Sequence, residues 1–250
     1  MKNILIVGYG NIGKHIEKEF KSFKPDIYDP FKENFNKKIN KLYDFAFICV
    51  PTDKKDYGEC DISIVEQAIS ETNSKIIIIK STIPPTTTNY LLKKYDKNII
   101  FSPENYGVTQ HCKEDYGFVI LGGEKELTLS VAELYQELKN AYYRFYFTDS
   151  TTAELWKYML NCFLALKVTF CCEFADIAKK FNINYQELRE LFIADERISP
   201  SHTFVYKDKP FYDSHCFNKD VPALVYFAKE YAPLMNFVNQ INIYRKENNK

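Results

Sequence analysis

"VGYGNIGKHI", Val7–Ile16, follows the apolar run NILIV (3–7) and places glycines at positions 8, 10 and 13. That spacing suits a turn where a strand hands over to a helix. Gly8 serves the tight turn, Gly10 the close approach of backbone to a pyrophosphate, and Gly13 close helix–strand packing. Asn11 and Ile12 would open the helix, whose N-terminus faces phosphate charge. IYD (27–29) reads as a short second strand ending in Asp29. An acid there accepts hydrogen bonds from adenosine ribose hydroxyls and disfavours a 2′-phosphate. Strand, glycines, helix and acid together read as an NAD site. A glycine-rich turn beside a surface Asp is the alternative, and nearby Lys32 tempers the preference for NAD over NADP.

The pattern continues outward from this turn. Residues 11–23 read as a helix and 61–71 have helical periodicity. FAFICV (45–50), KIIIIK (75–80), NIIFS (98–102), GFVILGG (117–123) and YYRFYF (142–147) are short apolar runs bounded by turn residues. Such runs alternating with helices predict an α/β fold, a Rossmann doubly wound parallel sheet. After Asp149 the texture changes. Residues 151–181 lack Pro and Gly and predict one long helix, with Thr151 or Thr152 as a cap, and 184–195 predict another. Residues 198–218 read as a loop, and 219–247 as a helix kinked at Pro233. The expected division is a dinucleotide-binding domain over 1–149 and an all-α domain over 150–250.

Composition excludes several classes. The 250 residues are 46% apolar and 26% charged with zero formal net charge, so neither nucleic acid nor an anionic membrane surface is indicated as a partner. No stretch approaches the ~20 apolar residues of a membrane span. MKNILIVGYG reads as a first strand rather than a signal peptide. The seven cysteines (49, 60, 112, 162, 171, 172, 216) are odd in number and lack C-x-x-C spacing, which suits small buried residues in a reducing cytoplasm. The four histidines (15, 111, 202, 215) fit no metal spacing.

Three later segments narrow the chemistry: ICVPT (48–52) with KSTIPPTTTNY (80–90); SPENYG (102–107); and LWKYMLNCFLALKVTF (155–170) with ADERIS (194–199) and HCFNKD (215–220). Lys157 and Asn161 are spaced i, i+4, so one helix face presents both, suited to an oxyanion or a substrate hydroxyl. Cys216 precedes the helix expected from Lys219–Asp220, and a helix N-terminus with nearby cations lowers a thiol pKa. On spacing alone, a salt-bridging Lys and a buried loop Cys remain open alternatives.

These segments resemble the UDP-glucose/GDP-mannose dehydrogenase family, with its V-P-T turn, K-S-T-x-P-P-G-T-T, S-P-E-F, helical K-x-x-x-N, D-x-R-I-G and C-F-P-K-D motifs. Order and approximate spacing match from residue 2 to about 242. The resemblance implies NAD as cofactor, with Gly8, Gly10, Asn11, Ile12, Gly13, Asp29, Pro51, Thr52, Thr82 and Lys219 at the cofactor. It implies Cys216 as a nucleophile toward the aldehyde of a first oxidation, Lys157 and Asn161 as oxyanion stabilisers, and Asp220 as the group placing water or a proton. Glu104 would assist thioester hydrolysis and Thr82 would orient water. A small-molecule substrate, a sugar nucleotide, and a homodimer built on the long helices follow from the same likeness.

The sequence also departs from that pattern. The family continues past the last expected helix into a unit that grips the nucleotide, whereas this sequence stops at Lys250, so a short form is expected. The family's G-F-G-G-S-C loop reads Phe211-Tyr212-Asp213-Ser214-His215-Cys216 here, Val108 replaces a second acid, and Thr86 replaces a glycine. Two other readings stay compatible with these changes: a two-electron NAD-dependent dehydrogenase of a smaller hydroxy acid or sugar, and a catalytically reduced NAD-binding paralogue.

Overall fold

The computed structural model describes residues 2–37, 40–105 and 116–248. The chain divides into two compact units, one of Met1–Asp53 with Asp61–Lys157, the other of Lys54–Cys60 with Tyr158–Lys250.

In the first unit, β1 (Ile4–Val7), β2 (Asp26–Tyr28), β3 (Tyr43–Ile48), β4 (Ser74–Ile79), β5 (Ile99–Phe101), β6 (Phe118–Gly122) and β7 (Arg144–Thr148) build one sheet. Its strand order is β2-β1-β3-β4-β5-β6-β7. The helices between them are α1 (Asn11–Glu19), α2 (Ser63–Glu71), α3 (Thr87–Tyr95) and α4 (Lys125–Gln136). Alternation across the pleat sets the layering. Ile4, Ile6, Phe45, Phe47, Ile76 and Ile78 face α1 and α4, meeting Ile16 and Val131. Leu5, Val7, Ala46, Ile48, Ile77 and Ile79 face the other way, onto Val65 and Ile69 of α2 and Leu91 of α3. Burial on both faces is why these strands read as continuous apolar runs.

The sheet is parallel-dominated, as expected of the doubly wound fold, and two strands at one end, β6 and β7, run opposite to the other five. β6 lies antiparallel to β5 through Phe101↔Gly122, while β6 and β7 pair in parallel. An apolar run such as FVILG reads the same in either direction, so direction is invisible in the pattern. The helix expected over 11–23 also ends earlier, at Glu19; Lys21–Phe23 form a 3-10 turn closed by Lys24 at φ 53°.

The second unit holds most of α5 (Ser150–Lys180), then α6 (Tyr185–Ile193), α7 (His215–Ala228) and α8 (Pro233–Asn248). Cys162, Ala165, Tyr212, Phe217, Val221 and Val238 form its buried centre. The segment Lys54–Cys60 joins it at Gly58 (φ +91°), where a Cβ would come 2.9 Å from Pro222 Cβ. Two expectations change here. The helix expected from Lys219 begins at His215, because Ser214 Oγ accepts from Phe217 N (3.1 Å) and caps it. Cys216 therefore sits in the first turn of α7 and not in a loop. The single helix expected over 219–247 is broken, not kinked: Lys229 takes φ 48°, a 3-10 turn follows, and Pro233 opens α8, the position where its fixed φ and missing N–H are harmless. No helix among the described residues is long and apolar enough to cross a membrane.

Candidate functional site

In the first unit the chain order reverses between β1 and β3, so their carboxyl ends leave a crevice where open α/β sheets bind ligands. The glycines of the β1–α1 turn do different work there. Gly8 has φ +90°, and a Cβ on it would stand 2.7 Å from the Cys49 carbonyl oxygen. A Cβ on Gly13 would stand 2.1 Å from the Gly8 carbonyl oxygen. Gly10 is different: a Cβ there would meet nothing within 4 Å. It is also the N-cap of α1 and supplies no side-chain cap, so the helix opens with bare N–H groups. Asn11 and Ile12 are the first residues of that helix.

Asp29 is buried at the end of β2, and its carboxylate accepts from Tyr9 N (2.8 Å) and Phe31 N (3.0 Å). It thus clamps the glycine turn, a role the sequence did not disclose. An uncapped helix N-terminus, a glycine facing open space and a fixed acid beside the turn fit a dinucleotide's phosphates and ribose. The next turns are pinned to one another. Thr52 Oγ1 donates to the Thr82 carbonyl (2.8 Å) and Ser81 Oγ to the Val50 carbonyl (2.6 Å), while Pro51 stays exposed.

Beyond β5, Glu104 lies between two buried lysines. Lys80 Nζ is 3.4 Å from Glu104 Oε2, and Lys157 Nζ donates to the Glu104 carbonyl at 2.5 Å. Lys80 went unremarked in the sequence as a site residue, although a charge directly after the isoleucines of β4 is itself a signal. Of the motif around Glu104, Tyr106, Gly107 and Val108 lie outside the described residues, as do His111 and Cys112. Thr86, which stands where the resembled motif has glycine, adopts φ 74°. Its N–H is held by Glu154 Oε2 (2.6 Å), and Glu154 Oε1 accepts from Thr88 N (2.7 Å) and Thr88 Oγ1 (2.6 Å). Burial pushes the Glu154 carboxyl up to about 7, against the lowering by its Thr88 and Thr86 donors.

The second unit assembles the other candidates. Asn161, one turn beyond Lys157 on α5, donates its amide to Asp220 Oδ2 (2.6 Å). Lys219 Nζ donates to Asp220 Oδ1 (2.6 Å). Asp220 is 1% exposed, so both its oxygens are satisfied by side chains rather than water. Burial works to lower the Lys219 pKa, but the adjacent Asp220 charge and hydrogen bond outweigh it and the net direction is upward. The lysine remains a cation. Cys216 precedes these residues by three and four positions, on the same side of α7. It is exposed, whereas Cys49, Cys60, Cys162, Cys171 and Cys172 are buried. An accessible thiol in the first turn of α7, close in sequence to the Lys219 cation, is placed as a nucleophile needs to be.

Comparison with known proteins adds family to geometry. Residues 29–139 match the NAD binding domain of the UDP-glucose/GDP-mannose dehydrogenase family, and residues 151–244 match its central domain. The chain is similar to the UDP-glucose 6-dehydrogenase of Rickettsia prowazekii, at 27% identity over 237 residues covering 89% of this chain and 52% of that protein. It is likewise similar to the UDP-N-acetyl-D-mannosamine dehydrogenase of Methanocaldococcus jannaschii, at 28% identity, covering 90% of this chain and 56% of that one. A UDP-glucose dehydrogenase from Pyrobaculum islandicum has the same fold, with TM-score 0.81 and 18% identity over 99% of this chain and 69% of that one. The chain spans about half the length of the curated relatives it matches.

Proposed function

We propose that this chain, which belongs to the UDP-glucose/GDP-mannose dehydrogenase family, oxidises the primary alcohol of a sugar nucleotide to the acid through a covalent adduct on Cys216. The observation that carries the reading is the α7 cluster: an exposed thiol in the first turn, with Asp220 one turn on, fixed between Lys219 and Asn161. Residues 29–139 match the family's NAD binding domain. The bare α1 N-terminus would hold the pyrophosphate and Asp29 the ribose. When bound, NAD supplies the electron acceptor for both oxidations, alcohol to aldehyde and thiohemiacetal to thioester.

The residues of the chain do the rest. Cys216 Sγ adds to the aldehyde carbon, forming a C–S bond while the carbonyl oxygen takes up a proton. After the second oxidation, water cleaves the C–S bond of the thioester, releasing the acid and returning the proton to sulfur. Asn161 and Lys157 stabilise the developing oxyanion. Asp220 holds the Asn161 amide and the Lys219 ammonium in place; its two side-chain bonds give it a positioning role rather than a water-holding one. Glu104 promotes thioester hydrolysis, Thr82 orients the water, and Lys219 is assigned to the cofactor rather than the substrate. We assign the active form as a homodimer in the cytoplasm. Met159, Phe163, Phe170 and Phe174 of α5 are 40–72% exposed and supply the apolar stripe for it.

The test is a panel of UDP-sugars, GDP-mannose and free sugars or hydroxy acids, followed by NADH absorbance and product analysis. Two NADH per substrate and loss of acid formation in Cys216→Ser are expected. One NADH per turnover, or wild-type acid formation by that variant, overturns the covalent reading.

A further inference from the structure

We infer that Lys80 is a positioning residue that fixes the Glu104 carboxylate in one orientation. Lys80 stands directly after β4 with a side chain only 2% exposed, and its Nζ lies 3.4 Å from Glu104 Oε2 and 3.4 Å from Ser102 Oγ. The other carboxylate oxygen, Oε1, accepts from Asn105 N at 2.8 Å. The carboxylate is thereby held at both ends, by an ammonium on one oxygen and a main-chain N–H on the other. A third tie, from Lys157 to the Glu104 carbonyl, fixes the backbone beneath it.

A buried ammonium without a counter-charge is expensive, so the surroundings decide whether Glu104 is indispensable to Lys80. The groups facing this pair come from several elements: Cys49 from the turn after β3, His15 and Glu19 from α1, Tyr135 from α4, and Tyr143. Burial raises the Cys49 thiol and the Tyr135 phenol, leaving both neutral. Glu19 is paired with Lys139 at 2.6 Å. Among the described residues, Glu104 is therefore the carboxylate within ion-pair range of Lys80. The pair borders a cavity of about 30 Å³, room for about one water, into which Tyr135 Oη and Asn105 Oδ1 carry unpartnered polar atoms. The pocket is built for polar contents, and Lys80 supplies its cation.

The consequence for turnover rests on the role proposed for Glu104 above; the pairing itself does not. A double-mutant cycle with Lys80→Met, Glu104→Gln and the combined variant tests the pair by urea unfolding, with no dependence on catalysis. The combined variant is expected to unfold at least about tenfold less readily than the product of the two single effects predicts, since contacting charges couple. Effects that multiply within about twofold overturn the proposal. In turnover, Lys80→Met is expected to slow acid formation by about tenfold or more with KM for NAD unchanged, and Lys80→Arg to recover part of the rate. Equal rates for Lys80→Met and wild type overturn the positioning role. Absence of acid formation by the wild type would instead count against the proposed function, leaving the cycle to decide the pair.

Discussion

Gly10→Ala separates the two tasks of the glycine turn. A Cβ at position 10 meets nothing within 4 Å, and its backbone (φ −80°, ψ −155°) is open to any residue. The folded chain therefore loses only the poorer N-cap quality of Ala, well under the ~2 kcal/mol upper end of cap losses. The methyl nevertheless stands where the α1 N–H groups need unobstructed approach to a pyrophosphate. Gly13→Ala is the opposite case. Its Cβ would lie 2.1 Å from the Gly8 carbonyl oxygen, so α1 must retreat by about an ångström to reach ordinary contact. Overpacking of that kind costs about 1–3 kcal/mol, more than the ~1 kcal/mol of helix propensity that Ala returns. Urea unfolding measured beside an NAD titration reads both. Gly10→Ala is expected to keep its midpoint near wild type and lose at least tenfold in affinity, about 1.4 kcal/mol. Gly13→Ala is expected to lose stability first. A Gly10→Ala variant that binds NAD as wild type does would refute the argument, because the open space above Gly10 would then not be the phosphate side.

Three further outcomes follow from the buried charges. Asp220→Ala leaves the Lys219 ammonium and the Asn161 amide without their acceptor, and breaking such a pair costs roughly 3–5 kcal/mol by denaturant unfolding; a loss under 1 kcal/mol would mean water reaches the cluster. The Glu154 carboxyl is raised from 4.5 to about 7, so the native state keeps a proton the unfolded chain releases, and stability is full below pH 4.5 and falls as pH rises toward 7. The slope is at most about 1.4 kcal/mol per pH unit, and Glu154→Gln should flatten it; an unchanged pH profile in that variant assigns the slope elsewhere. Thr86→Gly relieves a β-branched residue at φ 74° whose side chain is exposed, and a gain of up to about 1 kcal/mol in thermal unfolding is expected. A loss would show that the threonine side chain contributes more than its backbone strain costs.

The central strands of the first unit were legible because they are buried on both faces, so ILIV and KIIII carry their own signature. The glycine turn was legible because its constraint is steric: the nearest atoms to a Cβ on Gly8 or Gly13 are backbone. The direction of β6 was not, since no residue pattern distinguishes a strand from its reverse. The start of α7 was missed for a related reason. Asp213-Ser214-His215 looks like a turn, and the apolar residues that reveal the helix, Phe217 and Val221, begin only after its cap. Membership of Lys54–Cys60 in the second unit had no local signal at all, because it depends on Gly58 fitting against a proline more than 160 residues away. The pairings of Asp220 with Lys219 and Asn161 were hidden likewise, although the residues themselves could be named from the family's motifs.

The loop before Cys216 shows how a departure from the family pattern can be absorbed. Where glycines are expected, this chain has Phe211-Tyr212-Asp213-Ser214, and none of these residues has positive φ. Flexibility has been exchanged for side-chain anchoring. Tyr212 is buried in the core of the second unit, with its N–H donating to Asn242 Oδ1 (2.9 Å). Asp213 Oδ1 accepts from Lys246 Nζ (2.9 Å) and from Asn218 Nδ2 (3.0 Å), and the Lys246 bond leads the causes holding its carboxyl below the usual range. Ser214 then caps the helix that carries Cys216. Glycines in such a loop leave the backbone bare for a ligand to approach; these residues fill that space with side chains and fix the thiol's helix from outside. The anchoring holds the helix that carries Cys216 through side chains at positions where the family pattern has glycines. On the function proposed above, the departure therefore bears on what approaches Cys216 and not on how its helix is held.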